Sequence, residues 1–374
     1  MIDKSKPDYL LLTIVTILIS LGTVMVYSAS AILANDRFHS STFFIKKQIL
    51  WAGISLFLIF VLTKMDYHKY EKYTKVFLFI SLILLVVVLF SPPTKGASRW
   101  IRLGPIVFQP SEFFKYALVL FMAHSLSQRK NKIKNFKYVF LPYFLVLGIA
   151  SLLMIKEPHL GAVLSTSMIF LVMLFVGGTK MKHVLLISAP LAVAIFLVVF
   201  AFGYKKQRVN DYLKSVQDPL EGSYQMKQSA LGLGSGGIRG AGLGEGKQKL
   251  FFLPEPHTEF IFATIGEEGG FLTCAAIMIL FLILTLRGLS IANRAPDDFG
   301  FLLAFGISFC IFICALINAG VVVGLLPTTG IPMPFLSYGG SSLIFSSVGI
   351  GVLLNISRQT RFVPSPRIIS KKTV

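Results

Sequence analysis

Apolar residues in this 374-residue chain come in long unbroken runs, and that pattern constrains its fold more than any motif. Runs of about 17–25 residues match the roughly 30 Å hydrocarbon core of a bilayer when coiled as helices. A helix of a soluble domain needs only one apolar stripe. Ten spans are expected: 9–32, 45–64, 73–91, 111–128, 138–155, 161–178, 183–203, 261–287, 299–323 and 341–357. The expected fold is therefore all-α, a polytopic membrane protein forming one integral domain over residues 1–374. Charged residues make up 14% of the chain, against about 25% in soluble domains. The first apolar run, 9–28, is too long for the core of a cleaved signal and is read as a span. Cys274, Cys310 and Cys314 fall inside apolar runs and read as small packing residues.

Lys and Arg set the orientation. The short segments 64–75, 129–137 and 180–182 and the tail 358–372 are basic, which predicts both termini in the cytoplasm. The net charge of +19 then reflects topology and attraction to anionic membrane lipid, and does not imply nucleic acid. Three segments fall on the outer side: 92–110, the large loop 204–260 between the seventh and eighth spans, and 324–340. Each mixes Pro and Gly with aromatic residues, which marks the outer face as the working face.

Four carboxylates, Glu255, Glu259, Glu267 and Glu268, crowd one end of the large loop in a chain with only 17 Asp and Glu. Thr258 is a candidate cap for the eighth span, which sets Glu259 in its first turn, just outside the membrane and at the positive end of the helix dipole. The bland alternative for Glu259 is a simple helix-end carboxylate. Glu267 and Glu268 fall one to two turns further in, where charge is costly without partners, and Lys115 or a lipid-polar cavity is the expected partner. Glu112 and Lys115, three apart at the start of the fourth span, are expected to pair with each other or with those glutamates. Ser111 is a candidate cap there. Asn318 reads either as interhelical packing or as cleft lining. "GLGSGG" (232–237) fits G-x-G-x-x-G, but no strand precedes it, so it reads as a tightly turned loop. No metal-ligand spacing and no Ser-His-Asp set appears.

At the level of motifs the chain resembles the SEDS family (shape, elongation, division, sporulation) of bacterial cell-wall polymerases. The resemblance rests on "GTVMVYSAS" (22–30), "GASRWI" (96–101), "FQPSEFFK" (108–115), "YQMKQSALGLGSGG" (224–237), "GLGEGKQKLFFLPEPHTEFIFATIGEEGGF" (242–271) and "NAGVVVGLLPTTGIPMPFLSYGGSS" (318–342). "KQKLFFLPE" looks more like the FtsW division branch than the RodA elongation branch. The resemblance implies peptidoglycan glycosyltransfer from lipid II, the undecaprenyl-diphosphate-linked disaccharide peptide, at the outer face of the bacterial cytoplasmic membrane. It also implies a class B penicillin-binding protein transpeptidase and other division or elongation proteins as partners. It assigns catalysis to the acid of an H-T-D-F motif, which here is Glu259, one methylene longer than the usual Asp. "EPHLG" (157–161) departs from the usual Q-P-D-L-G, and Thr329 stands where some division members have Lys. Substrate-binding roles are implied for Glu112, His257, Asn318 and Ser337.

The chemistry asks for the same groups. Glycosyl transfer from a lipid diphosphate needs a base for the attacking hydroxyl and positive charge at the leaving diphosphate. Glu259 is the candidate base. Arg99, Arg102, Lys115, Arg239, Lys247 and Lys249 are the candidate cations. No dedicated metal cage is present, though a phosphate-bridging divalent cation, Mg or Mn, needs only one or two carboxylates. Two other readings use the same residues: a lipid II flippase, served by Glu112, Lys115, Glu267 and Glu268, and a scaffold for a transpeptidase, which would not need Glu259.

Overall fold

The structure, a computed structural model, describes residues 6–93, 97–104, 106–129, 136–200, 206–218 and 222–360. Each expected run coincides with a helix: α1 (Tyr9–Phe38), α2 (Phe43–Lys64), α4 (Thr74–Val88), α5 (Pro110–Gln128), α6 (Phe136–Lys156), α7 (Leu160–Val176), α8 (Met181–Phe200), α11 (Ile261–Asn293), α12 (Asp298–Val322) and α13 (Gly340–Gln359). The end of the seventh run lies outside the described residues. Among those described, α1, α2, α11, α12 and α13 are long and apolar enough to cross a membrane, while α4 and α7 are apolar but shorter. Most of the basic segments 129–137 and 358–372 also lies outside the described residues.

Burial separates centre from rim. The most apolar stretch of α12 is 72% buried and that of α2 only 22%. α12 packs on α5, α7, α10, α11 and α13, so it forms the centre of the bundle. On α2 and α4, Phe57, Phe60 and Phe79 point outward, as lipid-facing positions do. Small residues let helices approach: Gly288 of α11 sits against Ser308 of α12 with no room for a methyl group. Side-chain caps close several helix starts, with Asp8 accepting from Leu11 N at 3.0 Å and Asp297 accepting from Gly300 N at 2.7 Å. Pro110 opens α5 at a position that needs no N–H donor, so Ser111 is not the cap expected of it.

The segment expected as one large outer loop folds in part as helices, α9 (Lys206–Gln217) and α10 (Tyr224–Gly236). α10 packs along α11, and Ser229 Oγ donates to the Val322 carbonyl at the end of α12. The first outer segment carries a hairpin of β1 (Ile101–Leu103) and β2 (Ile106–Phe108). Gln109 N, just after β2, donates to Ser341 Oγ of α13 at 2.9 Å. The third outer segment dips back into the bundle, burying Ile331, Met333, Phe335 and Leu336. The hairpin, the glycine-rich chain after α10 and this last segment meet at one end of the bundle, called here the loop face. A short helix, α3 (His68–Glu71), belongs to the opposite end.

Candidate active site

Glu259 stands on the loop face, just ahead of α11. Phe260 occupies the cap position and makes no side-chain cap bond, so Glu259 precedes the helix and does not sit in its first turn. Thr258 does not cap α11 either. Both its N–H and its hydroxyl turn back to the Glu255 carbonyl, at 3.1 Å each, closing a turn. The chain at Glu259 is fixed by Asn318, whose Nδ2 donates at 2.8 Å to the carbonyls of Glu259 and of Ile331. Asn318 is therefore a clamp between α12, the Glu259 turn and the third outer segment. His257 is buried, its carbonyl accepts from Tyr338 N at 2.8 Å, and its ring lies 4.5 Å from that of Phe44. Ser337 accepts from Met333 N and shapes the same segment.

Arg99 meets Glu259 at Gly330. A methyl group built on Gly330 would lie 3.2 Å from Arg99 Nη1 and 3.3 Å from Glu259 Oε2, so a guanidinium and a carboxylate converge there. Gly330 also holds a φ of +76°, which favours glycine. Arg99 donates through Nη2 to the Pro158 carbonyl in the turn between α6 and α7. In that turn Glu157 is fully buried, and its carboxyl is pushed up to about 8 by burial, with the charge of Arg99 acting the other way. His159 is buried beside it, its Nδ1 3.3 Å from Ser111 Oγ. Glu157 was not expected as a site residue; the signal available was the charged turn "KEPH" (156–159) set between two apolar runs.

Glu267 and Glu268 belong to a different construction. Gly270, with φ 70° and ψ −174°, breaks α11 into two helices. The glycine-rich chain threads into that break: Ala241 N and Gly242 N donate to the Glu267 and Glu268 carbonyls, and Phe271 N and Leu272 N donate to Gly237 and Ile238. Glu267 accepts from Lys247 N at 2.7 Å and from Gln248 N at 3.2 Å. Glu268 takes Lys249 Nζ at 2.7 Å, Ser28 Oγ at 2.7 Å and Gly244 N at 3.0 Å. The expectation that Lys115 pairs with these glutamates is thus wrong: backbone N–H groups and Lys249 satisfy them. "GLGSGG" is not the turned loop expected of it: residues 232–236 form the last part of α10, and only Gly237, with φ +52°, opens the turn that follows.

Two of the expected cations follow from that. Lys249 is neutralised by Glu268, and Lys247 contributes its backbone while its side chain is exposed. From Ile261 to the kink, α11 runs about 12 Å, so this construction is separate from the Glu259–Arg99 point.

The family profile described as cell cycle protein, covering FtsW, RodA and SpoVE, matches residues 8–362. The chain belongs to this FtsW–RodA–SpoVE (SEDS) family. It is 45% identical over 358 residues to a probable peptidoglycan glycosyltransferase FtsW of Geobacter sp. strain M18, covering 95% of this chain and 97% of that one. It is 41% identical to stage V sporulation protein E of Bacillus subtilis strain 168, over 96% of this chain and 99% of that one. A chain from a solved peptidoglycan synthase complex, which coordinates polymerization and crosslinking, superposes with a TM-score of 0.77 at 28% identity, over 94% and 98% of the two chains. RodA of Thermus thermophilus superposes with a TM-score of 0.70 at 25% identity, over 95% and 97%.

In this SEDS chain the remaining expected residues scatter. Glu112 and Lys115 form a buried ion pair of 2.9 Å within α5, and Lys115 also lies 3.4 Å from Cys314 Sγ. The pair neutralises itself, so Lys115 does not stand ready for a diphosphate. Arg102 is exposed on β1 and Arg239 is exposed on the turn after α10. A cavity of about 310 Å³ lies past the far end of α11, lined by Lys6, Asp8, Arg287 and Arg294, away from Glu259.

Proposed function

We infer that this chain is a peptidoglycan glycosyltransferase that polymerises lipid II at the outer face of the bacterial cytoplasmic membrane. The observation that carries the reading is the convergence of Glu259 and Arg99 at Gly330, on the loop face of an FtsW-like fold. One carboxylate and one guanidinium at a common point are what the transfer needs. Glu259 takes the proton from the attacking sugar hydroxyl as its oxygen bonds to the anomeric carbon of the donor. The bond from that carbon to the diphosphate oxygen breaks, and undecaprenyl diphosphate leaves with the electron pair. Arg99 sets its charge against the growing negative charge of the diphosphate. Asn318 fixes the backbone of Glu259, and His257, packed on Phe44 and Tyr338, holds the turn leading to it.

A divalent ion carried on the diphosphate would find Glu259 as its protein ligand and would share the neutralisation with Arg99. Among the described residues no group of three or more His, Cys, Asp or Glu gathers into a resident cage. Grooves between the lipid-facing helices would take the polyprenyl chain. A class B penicillin-binding protein is the proposed partner, in keeping with the synthase complex that the fold superposes on.

The test uses purified chain with and without that partner, given labelled lipid II in liposomes. Glycan strands establish the polymerase. Leaflet exchange without strands would make the protein a flippase, and neither activity would leave a scaffold. Of the intramembrane charges that a flippase would use, Glu112 pairs with Lys115 at 2.9 Å, Glu268 pairs with Lys249 at 2.7 Å and Glu267 accepts from backbone N–H groups, which favours the enzyme.

A further inference from the structure

The turn between α6 and α7 holds a carboxyl that this chemistry leaves unused. Glu157 is fully buried, and among the described residues neither of its oxygens has a hydrogen-bond partner. A carboxylate in such a place is unfavourable, whereas the protonated acid is tolerated. Among the described residues Arg99 is the charge that acts on it: Lys156 at the end of α6 is exposed, His159 Nδ1 lies 3.3 Å from Ser111 Oγ, α7 begins with the apolar run 160–163, and 324–336 contains no titratable residue. Arg99 is shared between two sides. One of its nitrogens binds the Pro158 carbonyl next to Glu157, and another faces Gly330 and Glu259.

We propose that Glu157 is a positioning residue for Arg99. Protonated, Glu157 does not compete for the guanidinium, and Arg99 serves the Glu259 side of the site. Ionised, Glu157 draws the guanidinium toward the α6–α7 turn and slows transfer. This rests on the reading of the Glu259–Arg99 site given above. The sign follows from burial, which keeps the acid protonated to about 8; the favourable arrangement holds at neutral pH and is lost as pH rises through that value.

The test is the alkaline limb of lipid II polymerisation by the full chain with its transpeptidase partner. Glu157→Gln has the shape of the protonated acid and cannot ionise. The ratio of rates at about pH 9 and about pH 7 should rise roughly tenfold in this variant relative to wild type, because a group titrating near 8 is about one-tenth protonated at the higher pH. An unchanged limb in Glu157→Gln would overturn the proposal. A second measurement needs no turnover: the infrared band of a protonated carboxyl should fade in step with the activity limb and be missing from Glu157→Gln. Should the substitution cost the fold, the wild-type band decides alone, and its absence at neutral pH sinks the idea. Failure of the Glu259 assignment shows separately, as an active Glu259→Gln protein, and leaves the infrared titration of Glu157 standing.

Discussion

Lys249 Nζ lies 2.7 Å from Glu268 Oε1, with both side chains buried. The pair ties the glycine-rich chain to the kink in α11, and Ser28 of α1 joins it at 3.1 Å from Lys249 Nζ. Removing one partner leaves an uncompensated buried charge, which costs about 3–5 kcal/mol. Lys249→Met should therefore lower folded yield and thermal stability in detergent. Lys249→Met with Glu268→Gln together should recover part of the loss, and strict additivity of the two changes would refute the coupling.

Gly270 makes a sharper test of the same construction. Its φ of +70° disfavours any other residue, and a methyl group there would collide with the backbone of Ile238, Arg239 and Gly240. Gly270→Ala should abolish folded protein. Gly234→Ala, with open space around it, should be nearly silent, and size-exclusion profiles of the two variants read the difference.

Lys115→Met is expected to destabilise by about 3 kcal/mol or more, through the stranded carboxylate of Glu112 and not through Glu267 or Glu268. Adding Glu112→Gln should rescue stability, while adding Glu268→Gln should not. Thermal melts of the two double variants decide which glutamate is the partner.

Glu259→Gln should fold and lose polymerisation by about 10²–10⁴-fold, the usual share of a general base. Glu259→Asp keeps the carboxylate and should retain part of the rate, although a shift of about 1 Å can cost 10²-fold. Glu255→Gln, changed four residues earlier, is expected to do less harm. Strand synthesis from labelled lipid II measures all three, and a wild-type rate in Glu259→Gln would remove this residue from the mechanism.

Orientation is checked by cysteine labelling. A cysteine at Ile238, exposed on the loop face, should react with a membrane-impermeant maleimide in intact cells, and one at Lys72 should not. The native Cys274, Cys310 and Cys314 are buried and give little background. The reverse pattern would invert the topology that the basic segments predict.

The helices were legible in the sequence because a hydrocarbon solvent leaves a blunt signature: every run of apolar residues of bilayer length became a helix. The importance of the 253–270 stretch was legible too, since carboxylates are rare in this chain and costly in its setting. What each carboxylate does was decided only by the tertiary structure. Glu267 and Glu268 meet amides and a lysine from a glycine-rich chain 19–26 residues earlier, through contacts that no helical spacing predicts. Lys115 pairs with Glu112 one turn away, while Glu267 and Glu268 are satisfied by the glycine-rich chain. Glu259 acquires Arg99 from 160 positions away, across Gly330, and the turn that holds Glu157 reaches the same guanidinium through the Pro158 carbonyl. Local periodicity fixes which residues coil. Which charges converge depends on how the loops pack back onto the bundle, and that is settled by contacts between segments far apart in the chain.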